Sequence, residues 1–358
     1  MHIENTDYRE EVMDLKSPYD VKLLRDFLEP MGFDFDENEV DYSVMIFNLN
    51  NEVLGVASSQ ANVLKYIAVA PKYRETAVFA MLITHQLGRL IEKYDKIFAF
   101  TRPRNIMIFE GMGFKKIAVA EPLFCVLEYG LIGINDYVTN LKTYKIEKEG
   151  ADDIASLVVN CNPITNGHLY LIEKASVESD WVYLFVVQEN RSAFPFEVRL
   201  QLVKEATKHI QNLTIIPGGD YIVSGKTFPH YFLKGVNTTD ITTKQAELDV
   251  TIFRDYIVPA LGIKKRYVGE EMYCQTTAAY NRAMKRLLVP VGVEVIEVER
   301  KKNADTKEYI SASNIRDAIR RDELEVVKNS LPEATYNYLK SDESAFIREK
   351  IKATNTRH

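Results

Sequence analysis

The chain is poor in cysteine, has a single tryptophan and carries no surplus of positive charge. The cysteine and charge shortages each remove a class of protein. Its three cysteines, Cys125, Cys161 and Cys274, lie far apart without a CxxC pair. That spacing excludes a disulfide framework and a structural zinc site, and it fits a reducing compartment. A net charge of −6 excludes the broad basic face that a general nucleic-acid or anionic-membrane binder needs, so any anion site must be local. No apolar stretch reaches the ~18 residues of a membrane span. The N-terminus MHIENTDYRE is polar and acidic rather than basic and then apolar, so no secretory signal is indicated and a cytoplasmic location is expected. There is no low-complexity tract and no repeat at a fixed period. What is present is an ordinary globular composition, 46% hydrophobic and 27% charged, over 358 residues. That length suits two domains, each able to bury its own core.

The patterning divides the same way. YSVMIFNLNNEVLGVAS (42–58) reads as two strands joined by a turn at Asn50 and Asn51, and VLKYIAVA (63–70) reads as a third. After Pro71 the spacing turns helical: VFAMLITHQLGRLIEKY puts Met81, Leu82, His85, Leu87, Leu90 and Ile91 on one broad face, before KIFAFT returns as a strand. A polar helix and connector follow between Gly133 and Glu149. The predicted division is therefore a first domain over 1–131, a helical linker over 132–150 and a second domain over 151–345. In the second, strands near 156–159, 182–187, 213–216, 266–268 and 293–298 alternate with helical patterns. Such alternation predicts a parallel sheet covered by helices on both faces, with ligands beyond the carboxyl ends of the strands at the switch point.

One stretch lies at such an end. SLVVNCNPITNGHLYLIEKA, from Ser156, runs from an apolar strand through an Asn/Pro/Gly turn onto His168 in the first turn of a helix. A helix start presents unpaired N–H groups and a partial positive charge, which attract phosphate. His168 would add a donor, protonated or neutral, where charge builds as pyrophosphate leaves. The alternative is a capped-helix residue in a surface turn. Near the C-terminus, EYISASNIRDAIRRDE offers Ser311 and Ser313 as caps and puts Arg316 in the first turn of the helix that Ser313 would begin. A cation there opposes the helix dipole by roughly 0.3–1 kcal/mol unless an anion sits nearby. The alternative is an exposed arginine reaching into water.

TNGH at 165–168 resembles the HxGH signature of the nucleotidyltransferase superfamily with Thr165 in place of the first histidine, and ISASNIR at 310–316 resembles that superfamily's ISxTxxR signature. Between them stand NRSAFPFEVR (190–199), YIVSGKTFPHYFLK (221–234), LDVTIFRDYIVPALGI (248–263), RYVGEE (266–271) and YNRAM (280–284). In that order, essentially the whole chain resembles the citrate lyase ligases. The resemblance implies an α/β protein with an N-terminal GNAT-like mixed-sheet domain and a C-terminal Rossmann-like nucleotidyltransferase domain built on a parallel sheet. It also implies an ATP-dependent, AMP-forming acid–thiol ligase. ATP and acetate give acetyl adenylate and pyrophosphate, and the acetyl group passes to the thiol of the CoA-like prosthetic group on the acyl carrier subunit of citrate lyase. Citrate lyase and acetate are thus the implied partners, with neither nucleic acid nor membrane. ATP is a substrate, and magnesium is expected to be held mainly by ATP and water, since no carboxylate cluster marks a protein cage.

In that reading His168 and Arg316 stabilise charge on the α-phosphate and the leaving pyrophosphate, and no covalent nucleophile is required. Asn160, Asn162, Pro163 and Gly167 shape the turn at the nucleotide, and Thr165, Ser311 and Ser313 supply hydroxyl donors. Gly269, Glu270 and Glu271 of VGEE end another strand at the same edge and face adenosine. Arg191 and Arg199 are candidates for substrate contact, against the usual solvated arginine of a helix face. Lys226 and His230 lie in an aromatic-rich loop suited to covering acetate or the pantetheine arm, or simply to packing.

In the first domain, YIAVAPKYRETAVFAMLI and NIMIFEGMGF resemble the acetyl-CoA-binding core of the GNAT acetyltransferases, with Asn105, Phe109, Gly113 and Phe114 matching its later part. The pyrophosphate loop of that family has glycines that let backbone N–H groups come close. Here Ala77 and Phe79 stand in their places after Arg74. The expectation is a docking site for the prosthetic arm rather than an independent transferase. Two rival readings stay open: an adenylyltransferase acting on pantetheine phosphate or nicotinamide mononucleotide, which keeps AMP in its product, and a non-catalytic nucleotide-binding regulator.

Overall fold

The protein is described by a computed structural model covering residues 8–147, 149–188, 192–222, 238–270, 275–303, 307 and 309–353. Among them, two units separate: 8–137 together with 238–251, and 138–222 together with 252–353. The first break lies between Tyr137 and Val138. A single break there does not anticipate that 238–251, from the later half of the chain, belongs with the first unit.

Alternating apolar runs build the first unit. Its strands are β1 (Arg9–Val12), β2 (Tyr42–Phe47), β3 (Val53–Gln60), β4 (Val63–Val69), β5 (Lys96–Thr101), β6 (Lys115–Ala120) and β7 (Phe124–Gly130). Helix α1 (Pro18–Leu28) follows β1, α2 (Val78–Leu90) follows β4 and α3 (Ile106–Glu110) follows β5, while α4 (Ile134–Lys142) straddles the division. The sheet order is β1-β2-β3-β4-β5-β7-β6. Every pairing is antiparallel except β4 with β5, which is parallel. This is a mixed sheet, as expected. The predicted strands coincide with β2 to β5, and the turn between β2 and β3 uses Asn51 at φ 60, a left-handed position that asparagine tolerates. Edge strand β1 gave no apolar signal because its residues are mostly exposed. Helix α2 buries Val78, Leu82, Ile83, Leu87 and Leu90 against the sheet. Ile91, expected on the same face, is 54% exposed because the helix stops at Leu90. Gly55 admits the close approach: a Cβ there would stand 2.9 Å from both the Ala68 carbonyl oxygen and Leu82.

The second unit contains β8 (Ile154–Val159), β9 (Trp181–Val186), β10 (Leu213–Pro217), β11 (Lys265–Gly269) and β12 (Glu294–Val298). Helices α5 (Asn166–Val177) and α6 (Phe196–Thr207) follow β8 and β9. After β10 the chain passes through α7 (Thr238–Ile252), which belongs with the first unit up to Thr251, and re-enters the second unit with a π-helical turn (Phe253–Ile257) and α8 (Val258–Leu261). Helix α9 (Gln275–Leu288) precedes β12, and α10 (Ala312–Arg320), α11 (Glu333–Lys340) and α12 (Ala345–Ala353) close the chain. The sheet order is β10-β9-β8-β11-β12 and all pairings are parallel, as the alternation predicts. Leu157, Ile172, Val182, Leu184, Val203, Ile315 and Leu339 form part of one core cluster on this sheet. Each fully buried aliphatic side chain of this kind contributes roughly 1.5–3 kcal/mol.

The topology marks one place on the sheet. The chain leaves β8 outward through β9 and β10, then returns to the other side for β11 and β12, so the switch point lies between β8 and β11. Those two strands pair only at Ala155/Lys265 and Ser156/Arg266, although they continue to Val159 and Gly269. Toward their carboxyl ends they part. Among the described residues, no helix is long and apolar enough to cross a membrane.

Candidate functional site

The loop that leaves β8 opens over this parting. Cys161 takes φ 50, and the Asn162–Pro163 bond is cis. A left-handed non-glycine residue costs roughly 1–3 kcal/mol, and the loop is held by bonds on either side of it. Asn162 Oδ1 accepts the Phe194 N–H at 3.0 Å, and the Asn160 amide donates to Ser192 Oγ at 3.1 Å. Arg199 Nη1 donates to the Asn160 carbonyl at 2.8 Å, to Asn160 Oδ1 at 3.0 Å and to the Val187 carbonyl at 2.7 Å, while its Nε donates to the Phe194 carbonyl at 3.1 Å. Arg199 is 0% exposed. It is therefore neither a solvated helix-face arginine nor a reachable substrate contact. A guanidinium buried this deeply survives only with its donors satisfied, and these donors tie the ends of β8 and β9 to the segment 192–194. Cys161 is buried and burial raises its thiol pKa, which removes it as a nucleophile.

Helix α5 starts with a reciprocal cap. Thr165 Oγ1 accepts the His168 N–H at 3.4 Å, and His168 Nδ1 accepts the Thr165 N–H at 3.1 Å with Oγ1 at 3.0 Å. Histidine here does the work that glutamate or glutamine does in a capping box. With the Nδ1 lone pair committed, the ring proton sits on Nε2. Burial, and then the charge of Arg300, push the His168 pKa down to about 4. At neutral pH His168 is thus an uncharged Nε2–H donor, so the cap and the donor readings describe one residue. Thr165, expected to offer its hydroxyl to a phosphate, is 1% exposed and commits that hydroxyl to the cap.

Helix α10 is capped by Ser311, whose Oγ accepts the Asn314 N–H at 3.1 Å. Ser313 lies inside the first turn, and its Oγ accepts from Arg316 Nη2 at 3.3 Å. Arg316 consequently falls in the second turn, where the dipole is weaker than the expected cap implied. It is 5% exposed rather than reaching into water, and its Nη1 donates to the Asn162 carbonyl at 2.7 Å. Burial, then the charge of Arg320, lower its pKa, yet a guanidinium stays charged. An antiparallel bridge between Lys302 and Tyr309 and a bond from the Ile310 N–H to the Lys301 carbonyl lead the chain into Ser311. The starts of α5 and α10 touch: a Cβ on Gly167 would lie 3.4 Å from the Ile310 carbonyl oxygen. His168, Ser311, Ser313 and Arg316, far apart in the chain, thus gather at one corner with the loop 160–165.

Across the parting, Gly269 ends β11 and a Cβ there would meet nothing within 4 Å. Its carbonyl accepts from Asn281 Nδ2 at 3.2 Å. The Glu270 N–H donates to the Val298 carbonyl at 2.9 Å, and the Glu270 carbonyl accepts from Arg300 Nε at 2.8 Å. Motif reading passes over Arg300. Its available signal was position, two residues beyond β12 at the carboxyl edge of the sheet. Arg191, Lys226, His230 and Glu271 lie outside the described residues. Among the described residues no group of three or more His, Cys, Asp or Glu is arranged to hold a metal ion.

The sequence profile of the citrate lyase ligase C-terminal domain matches residues 154–339. The citrate (pro-3S)-lyase ligase of Escherichia coli K12 is 31% identical over 328 residues, 88% of this chain and 91% of its own. The chain belongs to the citrate lyase ligase family. A second citrate lyase ligase, from Haemophilus influenzae, is 32% identical over 325 residues, 89% of this chain and 95% of its own. Coverage on that scale exceeds what the second unit alone can supply, so the first unit is part of the shared citrate lyase ligase chain. A phosphopantetheine adenylyltransferase of Streptococcus agalactiae is 30% identical over 93 residues, which is 25% of this chain and 58% of its own. That likeness is local, whereas the likeness to the citrate lyase ligases is not.

Proposed function

We propose that the protein is an ATP-dependent, AMP-forming ligase that activates acetate and acetylates the thiol of the CoA-like prosthetic group on the acyl carrier subunit of citrate lyase, switching the lyase on. One observation carries the reading: in a chain of the citrate lyase ligase family, two helix starts, one bearing His168 and the other followed by Arg316 in its second turn, converge beside the switch point of a parallel sheet. Helix starts and fixed donors are what a transferring phosphoryl group requires.

The chemistry balances without a protein nucleophile. A carboxylate oxygen of acetate attacks the α-phosphorus of ATP, and the bond to the bridging oxygen breaks with its electrons going to pyrophosphate. The thiolate of the prosthetic group then attacks the acyl carbon of acetyl adenylate, and AMP leaves with the electrons of the C–O bond. In the first step charge grows on phosphate oxygens, and the Nε2–H of neutral His168 donates there without a proton changing hands. Arg316 braces the loop through Asn162 and contributes its charge. Ser311 and Ser313 each accept a hydrogen bond from their own helix, which leaves their hydroxyl protons to point outward. Gly269 and Glu270 face adenosine, and magnesium would be held mainly by ATP and water and would offset the charge of the phosphates. The first unit serves docking of the prosthetic arm, and the reaction runs in the cytoplasm.

Exchange of labelled pyrophosphate into ATP tests the reading. It is expected to require acetate and to proceed without the carrier subunit, whereas net release of AMP requires the deacetylated lyase. The local likeness to a phosphopantetheine adenylyltransferase favours one second reading, transfer of AMP to a phosphate. Label retained in a dinucleotide product would establish that reading instead, and no turnover on any acceptor would leave a regulator.

A further inference from the structure

The proposed reaction ends on a thiol borne by a protein, so the chain needs a surface that recognises a protein as well as a corner for a nucleotide. The first unit is shared with the citrate lyase ligases, and the gap where its strands β4 and β5 part is bridged by rings. Phe79 meets Phe109, and Phe109 meets Phe114, each pair edge-on with centroids 5.3 Å apart. Phe109 is 3% exposed and draws the short helix α3 onto the core, with Ile106 packed beside it. The residues between them turn outward: Met107 is 84% exposed and Ile108 is 45% exposed. Large apolar side chains set side by side in water mark an interaction surface, and methionine adapts its shape to a partner.

The charge around this pair has one sign. Segment 102–116 holds four bases, Arg102, Arg104, Lys115 and Lys116, against one acid, Glu110, in a chain whose net charge is −6. Helix α3 packs on β6, and Lys115 opens that strand directly after Phe114. Arg104, Lys115 and Lys116 are exposed. Among the described residues none of the four bases forms an ion pair or a side-chain hydrogen bond, whereas Arg25 pairs with Glu37 at 2.7 Å and Lys340 with Glu325 at 2.9 Å elsewhere on the surface.

We propose that the outer face of α3, with Met107 and Ile108 at its centre and the four bases around it, docks the acyl carrier subunit of citrate lyase through an acidic face of that subunit with an apolar centre. The inference rests on the ligase reading, which supplies the protein acceptor. Complementary charge speeds encounter and sets orientation, and the apolar pair holds the complex once water is expelled. None of these residues belongs to the nucleotide corner, so they act on transfer to the thiol and not on formation of the adenylate.

Steady-state kinetics of the full chain with deacetylated citrate lyase as acceptor, beside pyrophosphate exchange measured without the lyase, decide the matter. Met107→Asp, and separately Arg104→Glu combined with Lys115→Glu, are expected to raise KM for the lyase about tenfold or more. Both should keep kcat and exchange within about twofold of wild type. Added salt is expected to lift the wild-type KM and to leave that of the charge-reversed chain nearly level. An unchanged KM in both variants overturns the proposal while the ligase reading stands. So does a matching fall in pyrophosphate exchange, which would show that α3 serves the fold or the nucleotide corner instead. Lysines on an edge strand also guard against strand pairing, and aggregation of the charge-reversed chain with an unchanged KM would give Lys115 that role alone. Should either variant lose its thermal unfolding transition, Met107→Ala and Arg104→Gln replace them, and an unchanged KM in both is then the overturning result. Absence of acetate-dependent exchange in the wild-type chain is a different failure, which removes the ligase reading and the proposal with it.

Discussion

The two units of this protein share a device and use it differently. In each, two parallel strands meet for two residue pairs and then part: β4 and β5 pair only at Val63/Phe98 and Leu64/Ala99, β8 and β11 only at Ala155/Lys265 and Ser156/Arg266. In each, a helix follows the first of those strands, α2 after β4 and α5 after β8. The contents of the two mouths differ. In the second unit the helix starts are capped by Thr165 and Ser311, His168 and Arg316 stand beside them, and Gly269 faces open space. In the first unit α2 starts after Ala77 with no side-chain cap. Phe79 in its first turn meets Phe109 of α3 edge-on, with ring centroids 5.3 Å apart, and Phe109 meets Phe114 in the same way. Since α2 follows β4 and α3 follows β5, that ring pair bridges the elements that leave the parted strands. A parted parallel pair is thus only a frame. Donors at the helix start make an anion site of it, and an aromatic bridge makes it core.

The contrast can be broken at several points. The largest expected effect is on stability: Arg199→Ala strands buried carbonyls of Asn160, Val187 and Phe194 and should cost about 3–5 kcal/mol. Denaturant unfolding followed in the second unit reads this, and a loss under about 1 kcal/mol would show that the loop does not depend on that arginine. Next comes His168→Glu, which keeps an acceptor for the cap but offers no donor in place of the Nε2–H. Pyrophosphate exchange should fall about 10²–10³-fold with little change in unfolding, and an unchanged rate would remove His168 from the chemistry.

The same residue gives a pH signature. Its folded pKa is about 4 against an ordinary 6.5, so between these values the unfolded chain binds more protons than the folded one. The stabilisation is complete above pH 6.5 and is lost as pH falls toward 4. Across that window wild type should lose on the order of 3 kcal/mol more than His168→Gln, and parallel stability curves would contradict the neutral assignment. The smallest effect is reserved for the first unit. Phe79 is only half-buried, so Phe79→Ala should cost less than the ~3–5 kcal/mol of a fully buried phenylalanine and leave pyrophosphate exchange at the wild-type rate; a tenfold drop would mean that the bridged mouth takes part in the reaction.

Much of this was legible in the sequence where local chemistry and tertiary context agree. Strands β8 and β9 announce themselves because strands buried on both faces of a parallel sheet need near-continuous apolar runs. The corner at His168 shows because turn residues, a cap and a histidine follow one another within a few positions. What escaped depends on partners distant in the chain. Arg199 reads as a surface arginine until the carbonyls of Asn160, Val187 and Phe194 converge on it. Ser311 and Ser313 are equally good caps in sequence, and the Ile310 N–H bond to Lys301, which fixes the chain entering α10, accompanies the choice of Ser311. Arg300 sits in VERKK, a run that looks like a solvated charge cluster until β12 carries it to the site edge.

The central claim is that a nucleotide's phosphates are held by two helix starts of the second unit and not by the loop after β4. Amide hydrogen exchange on the full chain, with and without ATP, tests it most directly. The account predicts slowed exchange at the amides of 166–169 and 312–315 on binding, with 71–80 unchanged. Protection confined to 71–80, with both helix starts exchanging as before, would contradict it.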